Sequence, residues 1–274
     1  MQELQPEYNQ FRISVPIEFE SIFSHFYFAE NNSDQPVTKT LLPTFQTILL
    51  FCFGKNASMK TKEKTIISVD KCITFGPIRH SFEYTLPSKT SILVANFKDD
   101  AFYRFFGKAM ISNHFAIHPD QLLTENCFTD LWYELSQINS TQEQVNHILK
   151  FSQPYVQDQD STSQLLSNFK DENVNPIKAI AEKTNQSERN IQLKQKEKFG
   201  YSSKEINRYN RFLKAIHLIE KEIENQHKVE WFNIINECNY YDQSQLIHDF
   251  KHFLSIPPSQ YVKFQQDICN PRSE

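Results

Sequence analysis

Short runs rich in β-branched and aromatic residues fill the first third of the chain, separated by Pro, Asn, Asp or Lys/Ser clusters. Runs of this composition and length are typical of β-strands. The predicted strands are FRISVPI (11–17), HFYFAE (25–30), FQTILLFCFG (45–54), KTIISV (64–69), SFEYTL (81–86) and TSILVANF (90–97).

After Lys98 the hydrophobic spacing changes to three and four residues, which predicts helices. The expected helices are Asp99–Phe106, Asp120–Ile138 and Thr141–Ser152, with Asp120 and Thr141 as N-caps. Strands followed by helices favour an α+β fold, here a β-rich domain of barrel or cupin-like type with helices.

The polar stretch QPYVQDQDSTSQ (153–164) is the predicted linker, and beyond it the pattern is helical only. The chain is long enough for two domains. We therefore expect a sensor or dimerisation-like domain over residues 1–160 and an all-α domain over residues 161–274.

Residues 176–200 fit a helix-turn-helix unit. Pro176 suits the first turn of one helix, Asn185 and Gln186 break it, Ser187 can cap the next helix, and Gly200 can end it. A helical wheel over 187–200 places Ile191 and Gln195 inside. It points Arg189, Leu193 and Lys196 outward, with Asn190, Gln192 and Glu197 beside them.

A second unit follows a long helix. Residues 202–226 keep one apolar stripe over about 22 helical residues, a rod of roughly 33 Å that could carry two DNA-reading units along one duplex face. In 231–261, Trp231, Ile234 and Ile235 mark one helix and Asn239 a turn. The next helix starts at Asp242 or Gln243; its inward residues are Leu246, Phe250 and Phe253, and its outward residues are Ser244, Gln245, His248 and His252.

Charge is distributed unevenly along the chain. The net charge is −4, yet residues 183–214 hold nine basic and three acidic residues, a net of +6, whereas residues 228–263 have a net of −1. A local positive segment of this kind indicates a polyanionic partner. The second unit is expected to bind such a partner more weakly than the first.

Several function classes find no support in the sequence. With 4 Gly and neither a GxGxxG nor a GxxxxGK[ST] string, dinucleotide and P-loop chemistry are disfavoured. The N-terminus lacks a secretory pattern, and five scattered cysteines fit a reducing cytoplasm. His114 and His118 could share a metal only on a helix, which Pro119 disfavours, so we expect no metal, no cofactor and no enzyme activity.

The string SERNIQLKQKEKFGYSSKEINRYNRFLKAI, followed by YYDQSQLIHDFKHFLSIPPSQY, resembles the tandem DNA-binding domain of AraC-family bacterial transcription regulators over about residues 166–266. Leu193 and His248 stand where that family commonly has Arg, and Gln195 replaces a core aromatic residue. Asn239 and Ser255 stand where the family often has Gly. Residues 75–107 are similar to sensor-like domains that precede such regions, notably in Bacteroidota.

The resemblance implies a cytoplasmic, sequence-specific transcription regulator. Its partners would be double-stranded DNA and RNA polymerase, with a small-molecule effector and a second copy of the chain as further candidates and no membrane contact. Arg79 is the candidate for an anionic effector. The expected DNA contacts are Arg189, Asn190, Gln192, Leu193, Lys194, Lys196, Arg208, Gln243, Ser244, Gln245, His248 and Lys251.

The alternative is a ligand-sensing or protein-interaction module whose DNA-binding domain has degenerated and which acts through partner regulators. The weak charge of 228–263, Leu193 and Gln195 favour it. A further expectation is that acid strengthens DNA binding by charging His248 and His252.

Overall fold

Nine strands fill the first hundred residues of the computed structural model, which describes residues 7–62, 64–109, 116–123, 125–169, 174–225, 227–264 and 268–269. The strands are β1 (Tyr8–Ile13), β2 (Phe23–Asn31), β3 (Val37–Leu41), β4 (Ile48–Phe53), β5 (Ala57–Lys60), β6 (Ile66–Val69), β7 (Cys72–Phe75), β8 (Phe82–Leu86) and β9 (Thr90–Phe97). A short strand near the other end of the chain is β10 (Ile268–Cys269).

These strands form two five-stranded sheets. The first sheet has the order β1-β2-β9-β4-β7 and the second β10-β3-β8-β5-β6, with antiparallel pairing throughout except between β10 and β3. Leu50 and Val94 of the first sheet pack with Met59 and Leu86 of the second, so a hydrophobic core lies between the sheets.

The other face of the first sheet is also buried, under helices. Leu93 and Phe97 of β9 pack with Phe105, Phe128 and other residues of the helices α1 (Ala101–Phe106), α2 (Asp120–Leu123), α3 (Cys127–Ser136) and α4 (Thr141–Ser152). Burial on both faces explains why β4 and β9 are nearly continuous hydrophobic runs, whereas β8, with one face exposed, alternates.

The C-terminal half consists of helices α5 (Ser161–Ser167), α6 (Pro176–Thr184), α7 (Glu188–Phe199), α8 (Ser203–Glu224), α9 (Trp231–Glu237), α10 (Gln243–Leu254) and α11 (Pro258–Phe264), followed by β10. Its hydrophobic residues form two clusters. One joins α5, α6 and α7, and the other joins α8 to α11. The prediction of a β-rich N-terminal region followed by helices is confirmed.

Several predicted boundaries are wrong. The first strand ends at Ile13 rather than residue 17, and a 3-10 helix covers Ile17–Phe19. The predicted helix Asp120–Ile138 is two helices, because Asp120 turns its carboxylate to the start of the second. Its oxygens accept the amides of Phe128 at 2.8 Å and Thr129 at 3.2 Å.

Two further local predictions change. Ser140, not Thr141, caps α4, accepting the Glu143 amide at 3.4 Å. The predicted linker 153–164 is shorter, since a 3-10 helix covers Gln153–Tyr155 and α5 begins at Ser161. No helix in the described part of the chain is long and apolar enough to cross a membrane.

Candidate nucleic-acid interface

The first helix-turn-helix unit, α6 and α7, is built by local signals in its sequence. The Asn175 side chain caps α6 by accepting two backbone amides, and Asn185 makes the turn with a φ of 53°. Ser187 caps α7 by accepting the Asn190 amide at 3.2 Å, and Gly200 ends it with a φ of 78°. The predicted roles of Pro176, Asn185, Ser187 and Gly200 therefore agree with the structure.

One face of α7 is buried and the opposite face is open. Ile191, Gln195 and Phe199 are buried against the rest of the unit. The exposed residues include Arg189, Asn190, Gln192, Leu193 and Lys196, and Leu193 is 58% exposed. An exposed cationic helix face with an apolar residue in its middle can contact phosphates, base edges and a thymine methyl.

Gln186, in the turn, positions two of the predicted DNA contacts. Its Oε1 accepts Asn190 Nδ2 at 2.8 Å and Lys194 Nζ at 3.0 Å. Asn190 and Lys194 are thus held near the N-terminal end of α7, while no such bond is described for Arg189, Gln192 or Lys196.

The buried Gln195 has a partner. Its Oε1 accepts the Ser203 hydroxyl at 2.6 Å, which fastens α7 to the first turn of α8. A buried polar group that is hydrogen-bonded costs little, so the replacement of an aromatic residue is compatible with the unit.

The second unit, α9 and α10, has the same plan. Asn239 makes the turn with a φ of 57°, Asp242 caps α10 by accepting the Gln245 amide at 2.8 Å, and Ser255 ends it with a φ of 63°. Leu246, Phe250 and Phe253 are buried as predicted. On the outer side Gln243, Ser244, His248 and Lys251 are exposed, and Gln245 is half-buried, its Oε1 accepting the Tyr241 amide at 2.8 Å.

His252 is not on the outer face, and that prediction is wrong. Its ring lies 4.7 Å from the His80 ring of the N-terminal half. Burial, with Arg208, His80 and Lys62 nearby, lowers the pKa of His252 to about 4. His252 therefore stays neutral between pH 6 and 8 and does not contribute to the expected strengthening of DNA binding by acid.

A buried carboxylate joins the second unit to α8. Asp249 of α10 is 1% exposed and accepts Arg208 Nε at 2.6 Å and Arg211 Nη2 at 3.1 Å. Arg208, a predicted DNA contact, is therefore engaged within the chain, with 36% of its side chain exposed. Asp249 and Arg211 escaped the sequence analysis because nothing local to either residue indicates the other.

The two units and α8 enclose one open groove of about 2030 Å³. Gln192 of the first unit and Ser244, Gln245 and His248 of the second line it. From α8 come residues at helical spacing on one face, four of them basic: Lys204, Asn207, Arg208, Asn210, Arg211 and Lys214. Thus α8 forms the floor of the groove between α7 and α10, with Lys204 and Lys214 beside the Arg208 and Arg211 that pair with Asp249.

The N-terminal half contacts both helix-turn-helix units. Lys198 of α7 forms an ion pair with Asp160, and its ammonium lies 5.5 Å from the Tyr103 ring centroid. Burial alone would raise the pKa of the Asp160 carboxyl, but hydrogen bonds from Lys198 and Ser163 lower this pKa to about 2. None of these contacts covers the exposed face of α7.

Arg79, the candidate for effector binding, lies at this boundary. It donates to the Gly200 carbonyl oxygen at the end of α7, and its Nε is 3.5 Å from Glu205 Oε1 of α8. Beside it, Phe45 stacks on Tyr209 with ring centroids 4.5 Å apart. Arg79 thus contacts the C-terminal half. The spacing of residues along the sequence does not indicate this contact.

Three residues of types common in catalysis, Cys72, His118 and Asp120, lie near one another in the N-terminal half. Cys72 Sγ lies 3.3 Å from His118 Nε2. Burial raises the pKa of the Cys72 thiol, which keeps it protonated, and Asp120 is engaged at the start of α3. Among the described residues no group of three His, Cys, Asp or Glu could hold a metal; His114 lies outside them.

Comparison with known proteins gives structural likeness only. No protein-family model and no curated protein matches the sequence. ToxT from Vibrio cholerae is similar at 12% identity and a TM-score of 0.42, covering 93% of this chain and 97% of that one. ToxT bound to (E)-4-(8-methylnaphthalen-1-yl)but-3-enoic acid is similar at 12% identity and a TM-score of 0.41, covering 94% and 99%.

A rmlc-like cupin protein from Desulfovibrio desulfuricans matches a smaller part. It is 8% identical with a TM-score of 0.27 and covers 35% of this chain and 92% of that protein. Since every one of these TM-scores is below 0.5, no conclusion about function is drawn from them.

Proposed function

We propose that the chain is a sequence-specific DNA-binding transcription regulator of the AraC type, acting in the cytoplasm. The observation that carries the proposal is the groove: α7 lines it through Gln192 and α10 through Ser244, Gln245 and His248, and α8 adds Lys204 and Lys214 beside Arg208 and Arg211, which pair with Asp249. Two reading helices beside a cationic floor suit the alternation of bases and phosphates on one face of a duplex.

The two units have different roles in this proposal. The first unit supplies most of the affinity, because its exposed face carries Arg189 and Lys196 within the segment of net charge +6. Arg189, Asn190, Gln192 and Leu193 read bases, with Lys194 and Arg208 on phosphates. In the second unit Gln243, Ser244, Gln245 and His248 read bases more weakly, and Lys251 supports them.

The deciding experiment is selection of duplexes from a randomised DNA library by the full-length protein at about 150 mM salt, a concentration that limits non-specific binding. Wild-type protein should recover a shared motif. Arg189→Ala should cost about 1–3 kcal/mol and relax the preference at one position, whereas Lys196→Ala should weaken all sequences alike.

The matched control removes the same charge elsewhere. Lys108 and Lys150 are exposed residues of the N-terminal half, so Lys108→Ala/Lys150→Ala should recover the wild-type motif. If Arg189→Ala/Lys196→Ala also recovered it with unchanged affinity, the exposed face of α7 would not be the reading surface.

A second candidate concerns the second unit. Phe232 is 73% and Tyr241 93% exposed, and this unit has almost no net charge, which favours contact with a protein over contact with DNA. RNA polymerase or a partner regulator would fit that surface. If the second unit reads DNA, His248→Ala should lower the affinity for DNA and Phe232→Ser should not. If it contacts a protein instead, Phe232→Ser should lower the affinity for polymerase and His248→Ala should not.

A further inference from the structure

A small pocket lies on the helix-covered face of the first sheet, away from the groove. Its floor is formed by three residues on adjacent strands. Ser91 of β9 is paired with Glu30 of β2 on one side and with Phe53 of β4 on the other. Directly paired residues share a face, so the three side chains stand together. The walls are Trp132 and Ser136 of α3, Ile138 and Asn139 of the connecting turn, and Thr141 and Gln144 of α4.

The pocket is an open depression whose volume is comparable to that of small-molecule sites. Its volume is about 410 Å³, within the range of about 300–1,000 Å³ common for such sites. The rings of Phe53 and Trp132 are nearly parallel, with centroids 6.3 Å apart and an interplanar angle of 11°. Phe28 adds a third aromatic ring to the lining.

The Trp132 ring is fixed in place by its own hydrogen bond. Its Nε1 donates to the Cys52 carbonyl oxygen at 2.7 Å, which uses the indole's single donor. What the side chain offers a ligand is therefore its aromatic surface, which one cation of the chain, Lys71, already approaches.

The polar groups of the pocket are mainly acceptors. The Glu30 carboxylate accepts Asn32 Nδ2 at 2.9 Å, and no ion pair with Glu30 occurs among the residues described. Gln144 Nε2 donates to the carbonyl oxygens of Leu135 and Ile138, so its acceptor Oε1 is the end left for a ligand. Ser136 donates to the Trp132 carbonyl oxygen at 2.7 Å and so presents lone pairs.

Nearby cations of the chain have other partners. Lys89 donates to the Asn32 carbonyl oxygen. Lys71, whose Nζ lies 5.6 Å from the Trp132 ring centroid, donates to the Tyr133 hydroxyl at 3.1 Å. A carboxylate without a basic partner, beside aromatic rings and further acceptors, is complementary to a ligand that brings both positive charge and N–H donors.

We propose that this pocket binds a small organic ammonium compound with an apolar body. The ammonium group would lie between Glu30 and the Gln144 Oε1, and the apolar body against Phe53 and Trp132. The proposal concerns binding itself and stands apart from the proposed DNA-binding function.

The test is isothermal titration calorimetry of the full chain, without DNA, using phenethylammonium and its neutral counterpart 2-phenylethanol as probes. Phenethylammonium should bind at least about tenfold more tightly, the contribution expected of one carboxylate and aromatic contact to a cation. Glu30→Gln, which keeps the shape of the side chain, should reduce that ratio to about one, and Trp132→Phe should weaken both probes.

The matched control is Glu83→Gln, which removes an equivalent strand carboxylate from the second sheet, where it pairs with Lys60. This variant should bind both probes as wild type does. Equal affinity for the two probes, a ratio unaffected by Glu30→Gln, or no saturable heat with either probe would each overturn the proposal. Because no DNA is present, none of these outcomes bears on the groove.

Discussion

Single residues at the boundary between the two halves have their chemistry set by distant parts of the chain. The His252 carbonyl oxygen accepts His80 Nδ1 at 2.7 Å and Lys62 Nζ at 3.2 Å, which fixes this residue where its ring is half-buried. The donors lie 172 and 190 residues away along the chain. Protonation of the His252 ring would therefore oppose the contacts with His80 and Lys62 that hold the residue in place.

We predict that acid destabilises the fold through His252. Its pKa is about 4 in the folded chain against 6.5 when unfolded, so the unfolded state binds more protons between these values and stability falls as the pH drops from 6.5 towards 4. Urea denaturation at pH 7 and pH 5 should show a smaller loss in His252→Gln than in wild type.

The control for this titration is His217→Gln, an exposed position on α8. It should leave the dependence on pH unchanged. His25, whose pKa burial and Arg12 lower to about 4, should maintain part of the dependence in every variant. An identical loss in wild type and His252→Gln would contradict the prediction.

Asp249 is a second residue whose contribution to the free energy of unfolding depends on its surroundings. We predict that Asp249→Asn lowers the free energy of unfolding by about 1–3 kcal/mol, since the buried position loses a charge that pairs with Arg208 and Arg211. Chemical denaturation measures it, with Glu237→Gln on the neighbouring helix as the control. A change under about 0.5 kcal/mol, the level of ordinary surface substitutions, would show that the pairs contribute little.

At the scale of elements, a hydrogen bond between the buried Gln195 and the half-buried Ser203 joins α7 to α8. Sequence alone identified Gln195 as an inward residue, and its wheel position is correct. The partner lies beyond the end of the helix, after the turn at Gly200, so the wheel could not supply it.

We predict strong non-additivity for this pair. Ser203→Ala leaves the Gln195 amide oxygen buried without a donor and should cost about 1–3 kcal/mol, whereas adding Gln195→Leu to Ser203→Ala should recover most of the loss. Thermal unfolding of the two single variants and the double variant measures the coupling. Additive changes would mean that the hydrogen bond is not the source of the effect.

Features that depend on residues close together in the sequence could be predicted from it, whereas features that depend on distant contacts could not. Ser187, Asn185 and Gly200 act within three or four residues, and their roles could be read directly from the sequence. The short strands β3 and β5 could not, because VTKTL and ASMK are too short and polar to form a hydrophobic pattern, and pairing with β8 makes them strands.

The candidate site divides in the same way. The exposed faces of α7 and α10 were predicted from helical period, except for His252. The engagement of Arg208 by Asp249 and of Arg79 by Gly200 and Glu205 depends on contacts between elements far apart in sequence. A pattern along one element carries no record of such contacts.

At the scale of the whole molecule, aromatic packing joins the N-terminal half to the second unit. Phe45 is buried in the cluster formed by α8, α9 and α10, where it contacts Tyr201, Tyr209 and Phe253. The Tyr209 hydroxyl donates to the Pro43 carbonyl oxygen at 2.6 Å. This cluster makes the folding of the two halves interdependent.

We predict that Phe45→Ala uncouples the two halves. Truncating a buried Phe costs about 3–5 kcal/mol, and here the loss falls on the boundary, so scanning calorimetry should resolve two transitions in place of one. Phe11→Ala, which removes the ring that contacts Phe28 within the first sheet, should lower the transition without dividing it. A single transition for Phe45→Ala would contradict the coupling.

The pairing of β10 with β3 connects the two halves of the chain a second time and so closes a loop between them. Residues 156–160 join the halves once, and Ile268 and Cys269, pairing with Thr40 and Leu41, join them a second time. With both ends of the helical half tethered, each contact at the boundary closes as an intramolecular event at high effective concentration. A boundary contact that opens alone therefore re-forms quickly, and lasting separation of the halves requires the whole set to release together.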